Sequence, residues 1–337
     1  MPDMLLETML TITVLIGWFG ITQLILNVRQ TALVAAAYWA SWAQLTLTIA
    51  AVVTILRHQF NPGILDLFWY LAAVSALCPF VAVLGARRNR ALDWSLFVLL
   101  PLLVVLQWPA LAQWRRCWNG QRLELETPTL IGFLLVLVMG ASNFIGTRFT
   151  RPAIVWIATW GLIAWSFKET GGSNRFPSES VYSFVAISLL VFWTAVAKAA
   201  MRRSPATGMD KVWRDFRNSF GTVWAFRLMT RINEIAQRDQ WPWRLTHEGL
   251  RLTSIGSPYA GDPADDMRVD QTFRWLLKQF VETVWLDRRL GRSSLEPSPS
   301  QMSGSLLRSN SPTVTPVNDA GEATSSQPQS PDHDALH

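Results

Sequence analysis

Residues 64–85 read ILDLFWYLAAVSALCPFVAVLG, a run with one charged side chain, Asp66, three residues from its start. About 20 apolar residues in a helix span a hydrocarbon core of roughly 30 Å. A water-soluble core helix seldom stays apolar on every side for that length. The stretch therefore predicts a membrane-crossing helix. Asn61-Pro62-Gly63 before it makes a turn, with Pro62 suited to the first helical position. Arg87, Arg88 and Arg90 close it.

Working outward, the same pattern recurs. Runs at 5–26, 31–56, 91–112, 128–146, 152–167 and 181–200 are each bounded by polar or basic residues. The expected architecture is an all-α polytopic membrane protein of about seven transmembrane helices over 1–203. Pro101 and Pro109 make the fourth run the most prone to kinking. Half of the 337 residues are hydrophobic, and the mean hydropathy is positive. The start is acidic and lacks a basic n-region, so it reads as a retained first helix and not a cleaved signal.

Basic residues in short loops set orientation. With the N-terminus outside, nine basic residues fall in inner loops and six in outer ones. The expectation is a cell-membrane protein with its N-terminus outside and its C-terminus cytoplasmic. The formal net charge is +6: +4 over residues 1–197, +5 over 198–290 and −3 over 291–337. A modest basic excess beside a membrane suits the lipid bilayer and its anionic headgroups, or a protein partner, and not nucleic acid.

The charged residues of the spans, Glu7, Asp66 and Asp93, lie near the starts of their segments, where a helix dipole favours them. A transporter coupled through a mid-membrane carboxylate is disfavoured on that ground. Lys198 ends its segment, which excludes a retinal-type lysine deep in the last helix. Trp18, Trp69, Trp94, Trp108 and Trp114 read as interfacial anchors. Trp156 and Trp160 share one face of the sixth run and form the candidate intramembrane pocket, with helix packing as the plainer reading. Gly140-Ala141-Ser142-Asn143 reads as a small-residue patch for close helix approach.

Residues 204–290 predict a small soluble α(+β) domain of the helix–hairpin–helix type. A helix is expected over 209–237, and a hairpin with Trp243, Leu245, Leu250 and Leu252 alternating around Thr246–Gly249. A polar loop should cover 257–269, and a last helix 270–290. On a continuous first helix, Arg217, Arg227 and Arg231 fall within the apolar stripe beside Trp213 and Trp224. Charges on a core face need partners. Pairing with Asp270, Glu282 or Asp287, or reaching past the core edge to water, is one expectation, and a site for an anion or an acidic partner is the other. Residues 291–337, rich in Ser, Pro and Thr, predict a disordered tail.

No catalytic, metal or cofactor motif stands out. Cys78 and Cys117 have no ligand spacing. His58 and His247 stand alone, and His247 falls in the hairpin turn. The composition therefore favours an interaction or regulatory membrane protein, and not an enzyme, with no cofactor. A transporter or channel for a neutral or lipid-like solute is the alternative. A membrane enzyme on lipid-linked substrates, using the loop carboxylates Glu124, Glu126, Glu169 and Glu179, is the weakest.

Overall fold

The computed structural model describes residues 2–87, 91–168, 178–202, 208–252 and 267–290. The expected tail at 291–337 and most of the expected loop at 257–269 lie outside them. Helix α1 covers Pro2–Val28 and α2 covers Val34–Ile55. The third run is α3, Pro62–Ser75, followed by α4, Cys78–Leu84. Next come α5, Ala91–Trp94, a π-helical stretch at Ser95–Leu99, and α6, Leu100–Trp118. Then follow α7, Thr127–Ser142, α8, Thr150–Ser166, and α9, Ser178–Met201.

Five of these stretches are long and apolar enough to cross a membrane: Met4–Val28, Val34–Ile55, Pro62–Leu84, Ser95–Trp118 and Val181–Met201. Helix α7 is apolar but shorter. Large apolar side chains crowd the outside of the bundle, among them Leu15, Phe19, Phe97, Val105, Leu135 and Ile154, all exposed. Only a hydrocarbon solvent makes such a surface favourable. The chain is a multi-pass membrane protein.

The third run is the hub. Helix α1 packs on α2 and α9, α7 on α8, and α8 on α9, while α3 touches α2, α6 and α8. Trp69, Tyr70, Ala72 and Ala73 of α3 are all fully buried. Trp69 thus points inward, where it stacks on Tyr182 at 5.2 Å and donates to Thr54 Oγ1 at 2.9 Å. The interfacial role expected for it is replaced by a core role. Trp94 also turns in, donating to the Val81 carbonyl at 3.1 Å, whereas Trp108 and Trp114 do face outward. Pro79 lacks the N–H that a continuous helix would aim at the Ser75 carbonyl, and the run breaks between α3 and α4.

Asp66 sits one turn into α3 and is only 1% exposed. Arg122, in the α6–α7 loop, grips it with two bonds of 2.6 and 2.9 Å, and the Leu123 amide adds a third at 3.1 Å. Burial works against the Arg122 charge, but the Asp66 carboxylate more than offsets it, so the guanidinium holds its proton more firmly than usual. Asn61 caps α3 through the Ile64 amide and donates to the Trp118 carbonyl at 2.7 Å. A Cβ at Gly63 would strike the Cys117 and Gln121 carbonyls, so only glycine lets α3 start against the end of α6. The α6–α7 loop is thereby stapled over the hub.

Beyond α9 lie α10, Gly208–Arg238, strands β1, Trp243–Leu245, and β2, Leu250–Leu252, then α11, Met267–Leu277, and α12, Thr283–Leu290. The hairpin has the expected register, Leu245 opposite Leu250 and Trp243 opposite Leu252. Two expectations are corrected. Helix α10 is bent at Gly221, whose φ of 84° and ψ of −179° are open to glycine alone. The single helix expected over 270–290 is interrupted, because residues 280–282 pair with the α1–α2 turn. Thr31 bridges Val281, Ala32 donates to the Phe280 carbonyl at 2.7 Å, and Glu282 donates to that of Gln30 at 2.9 Å.

The Asp66–Arg122 pair yields a prediction. Breaking a buried pair on one side costs about 3–5 kcal/mol, while replacing both partners by apolar residues of similar volume is far milder. Arg122→Met should lower the thermal midpoint of the detergent-solubilised protein sharply, and the double variant Asp66→Leu/Arg122→Met should recover much of the loss. A double variant as unstable as the sum of its two single variants would contradict the pairing.

Candidate functional site

The helix ends at 28–34, 84 and 142–150 lie at one end of the bundle, and the C-terminal helices pack there. One apolar cluster joins Val28, Leu33 and Ala37 of the α1–α2 region, Val81 and Val83 of α4, and Trp213, Phe216, Phe220, Trp224, Phe280 and Trp285. Phe280 meets Phe216, Phe220 and Trp224 edge to face at 5.3, 5.5 and 5.0 Å. The Trp224 indole donates to the Val83 carbonyl at 2.9 Å.

Asn143 fixes the bend of α10. It ends α7 and is 1% exposed. Its Nδ2 donates to the Phe220 carbonyl at 3.1 Å, and its Oδ1 accepts from the Val223 amide at 2.9 Å. Its own carbonyl accepts from the Thr222 amide at 2.7 Å and the Thr222 hydroxyl at 3.0 Å. A bent helix leaves backbone groups unpaired at the break, and each costs about 1–3 kcal/mol if buried without a partner. One asparagine satisfies both sides of the break. A Cβ at Gly221 would collide with its amide. The polar patch at 140–143 thus serves a turn-to-helix clasp, and Gly140 keeps the close-approach role, with Phe80 Cβ 3.0 Å from where its own Cβ would be.

The two halves of α10 then hold the hairpin between them. In the first half, Trp213 donates to the Thr246 carbonyl at 2.9 Å, Arg214 to that of Glu248 at 3.1 Å, and Arg217 to that of His247. Three successive carbonyls of the turn are each met by one side chain. In the second half, Asn233 accepts from the Leu245 amide at 2.8 Å and donates to its carbonyl at 2.9 Å, imitating a further strand. Asp210 accepts from the Leu250 amide at 2.9 Å.

The arginines of the α10 stripe therefore go to different partners. Arg217 is half-buried and committed to the hairpin turn, and burial pulls its pKa below the usual value, with Arg214 adding to the effect. Arg227 is exposed and lies 5.1 Å over the Trp224 ring, which Arg87 approaches at the same distance. Arg231 is exposed and pairs with Glu234 at 3.0 Å. Trp213 and Trp224 are core residues. Asp270 and Asp287 both bind Arg274, at 3.0 and 2.6 Å. The bend at Gly221 shifts the helical phase between Arg217 and Arg227, which is why a straight wheel aligned them. His247 is exposed in the turn, as expected for a solvated residue.

In the bundle, Trp156 and Trp160 lie 5.5 Å apart and share an aromatic group with Phe80 and Phe192, at 5.6 and 4.6 Å from Trp156. Both indole N–H groups are buried without an acceptor among the described residues, as is the Ser75 hydroxyl in the last turn of α3. Of the loop carboxylates, Glu126 precedes α7 and Glu124 binds Gln113 through its backbone, while Glu169 and the Glu179 side chain lie outside the described residues. No group of His, Cys, Asp and Glu among the described residues could hold a metal ion.

The clasp predicts that Asn143→Ala and Gly221→Ala both loosen the C-terminal helices, each by about 1–3 kcal/mol. Limited proteolysis of the membrane-embedded protein should cut 208–252 markedly faster in either variant, with α1–α3 fragments unchanged. Equal cleavage rates in wild type and variants would contradict the clasp. Comparison with known proteins finds no matching family, no similar curated protein and no similar solved structure.

Proposed function

We propose that this is a seven-span membrane protein of the interaction or regulatory class, with its N-terminus outside and residues 208–290 forming a cytoplasmic cap. The observation that carries the reading is the cap's construction. Its bend is clasped by Asn143, its linker pairs with the α1–α2 turn, and its aromatic core is continuous with α4. A partner pressing on the cap therefore acts on the ends of α1, α2, α4 and α7. The outer surface of the cap offers both contact chemistries. Arg227, Arg231, Arg244 and Arg288 are exposed cations, and Trp275 and Val284 are exposed apolar side chains.

The alternation of the ends supports seven crossings, two more than the five long apolar stretches. The turns around 30, 85 and 145 meet the cap, while the Asn61–Trp118 and Leu125–Phe167 bonds tie the other end. Helices α7 and α8 are about 24–26 Å long at 1.5 Å per residue, short spans that their flanking turns complete. Both native cysteines are buried and silent to an impermeant thiol reagent. Single cysteines at exposed positions 59 and 121 should label in intact cells, and those at 29 and 145 only after permeabilisation. Labelling of 121 and 145 from one side would remove α7 as a span. For the interaction class, Trp275→Ser/Arg231→Glu should lose proteins that cross-link to the full-length wild type. An unchanged cross-linked set would end that reading.

The transporter reading keeps one specific support. The hub helix breaks near its middle, with the Ser75 hydroxyl and the Trp156 and Trp160 indoles unpaired among the described residues. Broken helices with free polar groups are where neutral solutes bind in carriers. Solute uptake by reconstituted vesicles that Trp160→Phe abolishes would favour it, and no uptake of any neutral solute tested would set it aside.

A further inference from the structure

Arg148 lies in the turn between α7 and α8, five residues after the clasp. Its backbone amide donates to Asn218 Oδ1 of α10 at 3.2 Å, so the turn and the cap hold its main chain in place. Its guanidinium stacks 4.9 Å over the Phe149 ring and is half-buried. It makes no hydrogen bond or ion pair among the described residues, and its Nε is fully buried without an acceptor. The carboxylate whose field reaches it is already engaged: Asp215 binds Arg289 at 2.9 Å. Burial pulls the Arg148 pKa below the usual value, Asp215 pulls it back up, and Arg289 lowers it further.

Arg289 takes the carboxylate, Arg148 feels it only through space, and the group of three keeps one positive charge. A half-buried cation with an orphaned donor is costly unless an anion completes it. Guanidinium is the side chain best shaped for phosphate oxygens. The position selects the source of that phosphate. Ile145, in the same turn, and Ile154, on the next turns of α8, are exposed, as are Val223 and Phe226 beside the clasp. Ile154 lies four residues into α8, about 6 Å along the helix from Thr150, a step from the turn toward the acyl region.

We propose that Arg148, assisted by Arg289, binds the phosphate of an anionic phospholipid headgroup where the α7–α8 turn meets the cap. The lipid would complete the joint that Asn143 begins, its acyl chains lying along Ile154. This adds a lipid to the partners of the proposed cap and rests on that reading of the cap.

The test uses the full chain reconstituted in nanodiscs of equal parts phosphatidylglycerol and phosphatidylcholine. The lipids retained after gentle detergent extraction are then counted by mass spectrometry. Wild type should retain phosphatidylglycerol over phosphatidylcholine. Arg148→Gln should lose about fivefold of that preference, the scale of one arginine at an anionic surface. Arg289→Gln should lose part of it, Arg148→Lys should keep a share, and Arg151→Gln, at an exposed neighbour, should keep most. If Arg148→Gln does not yield monodisperse protein, Arg289→Gln and Arg148→Lys carry the comparison. An unchanged preference in the Arg148 and Arg289 variants overturns the proposal. Complete displacement of the lipid by millimolar inorganic phosphate overturns the lipid source and assigns a free anion. Loss of lipid preference concerns purified protein alone, so its failure would leave the cross-linking result on the cap standing.

Discussion

The structure turns on an asparagine that ends one helix and bends another. Asn143 closes α7, and its amide and carbonyl satisfy the groups that Gly221 frees where α10 changes direction. Without the bend, the two halves of α10 could not lie on both sides of the hairpin. Without the hairpin, Arg217 would be a half-buried cation with no carbonyl to meet. The aromatic group around Phe280 would also lose the surface that α4 and the α1–α2 turn provide. One local satisfaction problem, solved by a residue from the membrane part, thus sets the geometry of α10, the hairpin, α11 and α12.

The two ends of the bundle are secured by different physics. At the α6–α7 end, a charged pair does the work, with Asp66 buried and Arg122 reaching in from the loop. At the cap end, the contacts are mostly neutral: amide bonds, an antiparallel bridge and edge-to-face aromatic rings, with Arg87 over the Trp224 ring. A charged pair is rigid but all-or-none, because losing one partner strands the other. A neutral, aromatic joint tolerates small shifts at lower cost. The cap end is therefore the one suited to respond to a ligand, and it is also where half-buried Arg148 lacks an acceptor among the described residues.

Much of the architecture was legible from periodicity. The apolar runs, the hairpin register and the extent of α10 follow from side-chain patterns, because burial in lipid or against one face imposes them locally. The misread parts depend on partners far along the chain. Gly221 is a single glycine inside a helical pattern, and only Asn143, seventy-eight residues earlier, turns it into a bend. Trp69 resembles an interfacial anchor until Thr54 and Tyr182 enclose it. The gap between α11 and α12 has no strong breaker, since it is created by pairing with the α1–α2 turn. Arg227 and Arg231 align with the apolar stripe only on a straight helix; past the bend both reach water, one of the two outcomes the stripe allows. Arg148 is one of the nine inner-loop basic residues by sequence, and only the packing of α10 on the turn at 143–149 takes it partly out of water.

Residues 208–252 and 267–290 pack as part of the bundle's end and not as a tethered domain. Hydrogen–deuterium exchange on the lipid-embedded protein tests it most directly. The account predicts that amides at 30–32, 220–225 and 280–282 open together, with protection approaching that of α3. If 220–225 and 280–282 exchange freely while α3 and residues 30–32 stay protected, the cap is an independent appendage and the account is wrong.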